Sequence, residues 1–217
     1  MMHGSHRAFI SGAVLIAAMT FIVSPAGAKR DGTARQVQKI ESQSQIDDLK
    51  VQINMATVDE DVEVTKDEDG TLTAKQGKQE MVVEQDGSWA IQPASDPDDI
   101  TPMWDAGACY GSFVNVYVNA EDDLQWGAQQ ICASTANRPH KVNVTLRQGP
   151  DRPLAQQTNM HTSYGTYTSS QASNNYVFSP CLNHVSHRSS MVATPYAGGV
   201  QWPQVVSTDT VVNCNTR

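Results

Sequence analysis

Histidine is a common metal ligand and general base, so the histidines are the first candidates for chemistry in this chain. His184 and His187 are three positions apart, and His161 precedes them in the same half of the chain. This spacing would place two imidazoles on one face of a helix, but no glutamate completes the His-Glu-x-x-His signature of a zinc protease. We expect His184 and His187 to be surface residues, with a metal pair as the alternative.

The strings that mark common enzymes and cation sites are not present. No Gly-x-Ser-x-Gly sequence marks a nucleophilic serine. The carboxylates within residues 59–63 and 67–69 suggest calcium, but their spacing is not that of an EF-hand, and solvated turns explain them. The sequence therefore predicts no cofactor and favours a non-catalytic role, with a hydrolase site around His161, His184 and His187 as the alternative.

A nearly uncharged stretch, residues 156–176, combines three tyrosines with serine, threonine, asparagine and glycine. Antibody paratopes use the same mixture, because tyrosine supplies contact area at low entropic cost and small polar residues supply adaptable hydrogen bonds. Tyrosine also presents a flat apolar face beside a polar tip, which suits a sugar ring. We predict that Tyr164, Tyr167 and Tyr176 bind a ligand. The alternatives are a long polar connection or a strand with buried tyrosines.

The N-terminus has the pattern of a cleavable secretory signal peptide over residues 1–28. Arg7 precedes an apolar run at residues 8–23, and Ala28 ends a small-x-small sequence after Pro25. The run is 16 residues long, shorter than the roughly 20 that span hydrocarbon. We expect cleavage after Ala28, no stable membrane insertion afterwards, and a secreted or extracytoplasmic location.

The four cysteines are best explained by export into an oxidising compartment, where an even number of cysteines predicts disulfides. We favour Cys109 with Cys132 and Cys181 with Cys214, because each pair closes a short segment, as when neighbouring strands are tied together. The two other connectivities stay open. The catalytic alternative is a thiol nucleophile formed by Cys132 with His140.

Charge divides the exported part into two unlike regions. Residues 29–100 contain 17 acidic and 8 basic side chains, whereas residues 101–217 contain 6 of each. This asymmetry predicts an acidic region at 29–91 and a second domain at 103–217. The connection at 92–102 contains three prolines and three aspartates, which disfavour helix and sheet. The excess of acid also argues against a nucleic-acid partner.

Local patterning predicts strands throughout. Apolar residues alternate with polar ones from Leu49 to Met55 and again around residues 114–118 and 142–146, the period of two that a half-buried strand requires. Gly70 and Gly87 each follow an aspartate between apolar segments, which predicts two hairpins. A looser helical spacing at residues 34–47 predicts a short helix.

We therefore predict an all-β chain. It comprises a small antiparallel β-meander with a short N-terminal helix, followed by a disulfide-tied antiparallel β-sandwich or partly open barrel. The expected function is a non-catalytic binding or interaction module that contacts a surface polymer, a glycan or a protein, at the cell surface or in the medium. A structural or accessory role in the cell envelope is a further hypothesis.

Overall fold

Two antiparallel sheets build the part of the chain that the computed structural model describes, namely residues 37–94, 108–118, 123–133, 135–148, 159–180 and 186–213. The strands, in chain order, are β1 (Gln38–Ile40), β2 (Val51–Ile53), β3 (Glu63–Lys66), β4 (Leu72–Gln76), β5 (Gln79–Val83), β6 (Ser88–Pro93), β7 (Cys109–Val118), β8 (Asp123–Cys132), β9 (Lys141–Gln148), β10 (Asn159–Ser163), β11 (Ala172–Pro180), β12 (Ser186–Ala197), β13 (Val200–Gln201) and β14 (Val205–Asn213).

The first sheet has the order β1-β3-β4-β5-β6-β7-β8-β11, and the second has the order β10-β9-β12-β14-β2 with β13 paired to β12. The sheets pack as a sandwich and do not close into a barrel, which confirms the predicted all-β class. The helices among the described residues are 3-10 turns of three residues, and none of them is long and apolar enough to cross a bilayer.

The two predicted hairpins are confirmed, and their loops have the same backbone hydrogen bonds. In the β3–β4 loop, Asp67 donates its N–H to the residue four positions later, and Gly70 donates back to the Asp67 carbonyl. Glu84 and Gly87 repeat both bonds in the β5–β6 loop. Both glycines have positive φ, +82° and +91°, the conformation that the last loop residue of this hairpin type needs.

The predicted short helix at residues 34–47 is wrong over the residues that the structure describes. Residues 38–40 form β1 and residues 43–45 form one 3-10 turn. The side chain of Gln45 accepts hydrogen bonds from the backbone N–H groups of Glu41 and Ser42, at 2.7 and 2.9 Å. The apolar spacing reflects the burial of Ile40 and Ile46 in the core, on either side of this turn.

The acidic region and the cysteine-containing region share both sheets. β6 pairs with β7 through Trp89 and Gly111, and β2 pairs with β14 through Ile53 and Val205. β6 also runs to Pro93, so strand structure continues into the segment predicted as a linker. The charge pattern of the sequence does not predict that strands of the two regions pair. Charged side chains lie on the outer faces of the sheets, whereas the inner faces meet in one core.

The Cys109–Cys132 disulfide is confirmed. The two residues lie directly opposite each other on β7 and β8, and both are fully buried. The thiol-nucleophile hypothesis is therefore wrong, since the Cys132 sulfur is bonded to Cys109. Cys181 and Cys214 lie outside the described residues, so their pairing stays a prediction.

A row of three residues crosses the middle of the first sheet and ends at a buried amide. Trp89 on β6 lies beside Gly111 on β7, which lies beside Gln130 on β8. A methyl group at Gly111 would overlap the Trp89 indole. The missing side chain lets the indole pass over β7 and donate its Nε1–H to Gln130 Oε1, at 3.3 Å.

The Gln130 amide also bonds to the second sheet. Its Nε2 donates to the Tyr196 carbonyl at 2.9 Å and lies 3.3 Å from His140 Nδ1. His140 Nε2 is 2.9 Å from the Ser170 carbonyl, which can only accept, so Nε2 carries the proton and Nδ1 accepts from Gln130. Gln130 and His140 are both fully buried, and each of their polar side-chain atoms has a partner.

Gln130→Leu should destabilise the fold by about 3 kcal/mol, because it leaves the Trp89 indole N–H, the Tyr196 carbonyl and His140 Nδ1 buried without their partner. Urea unfolding with the disulfide intact measures the effect. Gln129→Leu is the matched control, since the neighbouring Gln129 is exposed on the other face of β8, and it should change the stability by less than about 0.5 kcal/mol. Equal unfolding midpoints for the two variants would contradict the role given to Gln130.

Candidate functional site

The predicted binding tyrosines lie in two different places. Tyr164 and Tyr167 belong to the extended segment between β10 and β11, and they are 77% and 44% exposed. Tyr176 lies on β11 and its ring packs over Gly127. It points to the opposite face of β11 from the buried Asn175, so the structure does not place it beside Tyr164 and Tyr167.

Backbone contacts with the start of β9 fix the segment that carries Tyr164 and Tyr167. Thr168 and His140 exchange two backbone hydrogen bonds, each of 3.0 Å. The N–H of Gly165 donates to Asn143 Oδ1 at 2.9 Å. Gly165 runs so close to the Val142 carbonyl that a side chain at this position would overlap it.

Asn175 holds the same segment from the first sheet. Its Nδ2 donates to the carbonyls of Val142 and Ser163, at 3.0 and 2.8 Å. Its Oδ1 accepts from the Ser163 hydroxyl at 2.7 Å. Because Asn175 is only 8% exposed, these bonds are shielded from water, and the exposed tyrosines have an ordered base.

Four side chains form what we call the tyrosine–lysine cluster: Tyr164, Tyr167, Tyr196 and Lys141. The rings of Tyr167 and Tyr196 meet edge to face, with centroids 5.9 Å apart. The Lys141 ammonium lies 4.5 Å from the centroid of each of these two rings. Cation–π contacts of this kind contribute about 0.5–1 kcal/mol each at exposed sites, so they hold the lysine in place.

The hydroxyl of Tyr196 lies at the inner side of the cluster. It donates to Gln201 Oε1 at 2.6 Å and accepts from Asn143 Nδ2 at 3.4 Å. Burial raises the pKa of Tyr196 above its usual value near 10, and the neighbouring Tyr167 and Tyr164 raise this pKa further. The Tyr196 phenol is therefore a neutral hydrogen-bond donor at physiological pH.

The register does not bring the predicted histidines together. His161 on β10 is half-buried and lies opposite Leu146. His187 belongs to β12, where its backbone lies opposite Val212 in a different row of the second sheet. His184 lies outside the described residues. Among the described residues, no group of three or more His, Cys, Asp or Glu side chains is placed to hold a metal ion.

A small cavity lies between the two sheets, with a volume of about 10 Å³ and therefore room for about one water molecule. Phe113, Trp126, Val144, Val177 and Met191 make its walls mostly apolar. A ligand larger than water does not fit this space. The tyrosine–lysine cluster is on the surface, so the size of its ligand is not limited by a cavity.

The sequence does not single out Lys141, Tyr196 or Gln201 as site residues. They become neighbours because Tyr196 on β12 lies directly opposite both Lys141 on β9 and Gln201 on β13. The glycines at 198 and 199, both with positive φ, form the turn that brings Gln201 back beside Tyr196. This Gly-Gly pair is the local signal that could have predicted the second contact.

Comparison of the chain with protein-family models, with curated proteins and with solved structures finds no match. Any function of the tyrosine–lysine cluster must therefore be inferred from its geometry and chemistry.

The raised pKa of Tyr196 predicts how stability changes in alkali. The unfolded chain loses this proton first, so the contribution of Tyr196 is fully present below about pH 10 and is lost as the pH rises through the folded pKa. Tyr196→Phe removes the bond to Gln201 and should cost about 1 kcal/mol at pH 8. Urea midpoints measured between pH 8 and 11 should show this difference shrinking above pH 10. A stability difference between the wild type and Tyr196→Phe that stays constant across that pH range would contradict the raised pKa of Tyr196.

Proposed function

We propose that this chain is an exported, non-catalytic binding protein that contacts a surface polymer, a glycan or a protein through the tyrosine–lysine cluster. The observation that carries the proposal is the pair Tyr164 and Tyr167, two exposed aromatic side chains on a backbone that Asn175, Asn143 and His140 hold in place. Such residues lose little conformational entropy when a ligand covers them. The entropic cost of binding is therefore smaller than it would be for tyrosines on a flexible loop.

Export is supported by the leader sequence and by the buried Cys109–Cys132 disulfide, since such bonds persist in oxidising compartments. A partner outside the cytoplasm, in the medium or on a cell surface, follows from the same argument. Carbohydrate polymers and glycoproteins are abundant there. Tyrosine suits both, because its ring packs on apolar C–H faces while its hydroxyl forms hydrogen bonds.

The double variant Tyr164→Ala with Tyr167→Ala should weaken binding at least about ten-fold, because buried tyrosines are frequent energetic centres of interfaces. The measurement is a titration of residues 29–217 against a panel of immobilised glycans and cell-surface polymers. Circular dichroism and urea unfolding should show that the fold is retained, since Tyr164 and Tyr167 are 77% and 44% exposed and neither belongs to the core.

Phe178→Ala is the matched control for this test. Phe178 is 51% exposed and lies on β11 in the other sheet, so its loss removes a comparable aromatic surface away from the cluster. Binding that falls equally in the control and the double variant, or in neither, would contradict the proposal. Tyr176, also on β11, stays a separate prediction that Tyr176→Ala tests in the same assay.

A further inference from the structure

The charges of this protein are unevenly distributed along its chain. Residues 124–208 supply β9 to β13, most of β8 and the start of β14, and they contain a single acidic residue, Asp151. The same residues contain five basic ones: Arg138, Lys141, Arg147, Arg152 and Arg188. A chain with a net charge of −8 therefore has a segment with a net charge of +4, five minus one. The tyrosine–lysine cluster lies within it.

Lys141 differs from two lysines of the acidic region, Lys39 and Lys75. Lys39 and Lys75 each have a carboxylate within 4.0 Å, on Glu41 and Glu80. Among the described residues, no carboxylate lies at that distance from the Lys141 ammonium, which instead contacts the rings of Tyr167 and Tyr196. Its charge is fixed in position and is not neutralised by an acidic neighbour.

The position of the Lys141 ammonium over the two tyrosine rings disfavours a cationic ligand. The space between the rings of Tyr167 and Tyr196 is occupied by the protein's own ammonium group, so a cationic ligand finds the aromatic faces taken and a positive charge beside them. An anionic ligand is attracted to the same charge. The exposed ring of Tyr164 remains open for an apolar face.

We propose that the tyrosine–lysine cluster binds an acidic saccharide of the uronate type. The C–H face of the pyranose packs on the open ring of Tyr164, the carboxylate pairs with Lys141, and the exposed Gln201 lies beside Tyr196, where it can bond ring hydroxyls. This inference rests on the proposed function and names its ligand class. Nucleic acid is disfavoured, because binding a polyphosphate chain requires several clustered Lys and Arg side chains, whereas the tyrosine–lysine cluster contains one cation, Lys141.

The test compares oligogalacturonate with its methyl ester, which keeps the sugar ring and removes the charge. The wild-type protein should bind the acid form about three- to five-fold more tightly in low salt, the range that one exposed ion pair provides. In 0.5 M sodium chloride the preference should nearly vanish, since the salt screens the pair.

Variants of Lys141 separate the charge from the stacking. Lys141→Gln should abolish the preference for the acid form, whereas Lys141→Arg should retain it. Lys50→Gln is the matched control, because Lys50 is an exposed lysine of the acidic region, and it should leave both affinities unchanged. The double tyrosine variant should weaken binding of the acid and of the ester alike.

Three outcomes would overturn the inference. Acid and ester could bind equally while the tyrosine variant weakens both, in which case the proposed binding function stands and only the acidic specificity is wrong. An oligonucleotide of equal charge could bind as tightly as the uronate, which would make the site unspecific for saccharides. Neither saccharide could bind at all, which would overturn the uronate inference. The titration against immobilised glycans and cell-surface polymers would then test the proposed binding function independently.

Discussion

The buried amide of Gln130 is the interaction on which this structure most depends. It is the point where a side chain of the first sheet bonds to the backbone and to an imidazole of the second. A buried amide that loses a partner costs far more than a made hydrogen bond contributes, so the three groups around Gln130 specify how the sheets are placed. Gly111 is part of the same constraint, because only a missing side chain lets Trp89 reach Gln130.

The same chain of hydrogen bonds leads to the surface. His140, held by Gln130, bonds through its ring to the Ser170 carbonyl and through its backbone to Thr168. Both belong to the segment that carries Tyr164 and Tyr167. The next residue after His140 is Lys141, whose ammonium lies over the tyrosines. The candidate site is thus built directly on the polar core, which explains how a segment rich in serine and threonine keeps a defined shape.

The charge of this protein is distributed unevenly between the first and second halves of its sequence. The hairpins of β3 to β6 carry much of the acid, and their turns use carboxylates such as Asp67 and Asp86 to bond backbone N–H groups. Lys141 on β9 and Tyr196 on β12 belong to the second sheet. The positive charge of the tyrosine–lysine cluster therefore lies on different strands from the acidic hairpins, in a chain whose net charge is −8.

The sequence by itself determined mainly the features that depend on neighbouring residues. Alternation of apolar and polar positions predicted strands, Asp-Gly predicted the hairpin turns at Gly70 and Gly87, and four cysteines predicted the Cys109–Cys132 bond. The polar composition of residues 156–176 suggested ligand-binding tyrosines but left a strand with buried tyrosines open, and only the structure shows that Tyr164 and Tyr167 are exposed. The strands and turns depend on backbone preferences and on burial within a few residues, which local sequence contains, whereas the disulfide, with a sequence separation of 23, followed from export and an even number of cysteines.

Only the tertiary structure decided which distant segments meet. β2 lies beside β14, more than 140 residues later in the chain, and Tyr196 lies beside Lys141, although no local pattern relates the members of either pair. Strand register and burial of one common core select these pairings, because a shift of one residue would turn every apolar side chain to the wrong face. The same global requirement replaced the expected helix by a strand and a single turn, and separated Tyr176 from the other two tyrosines.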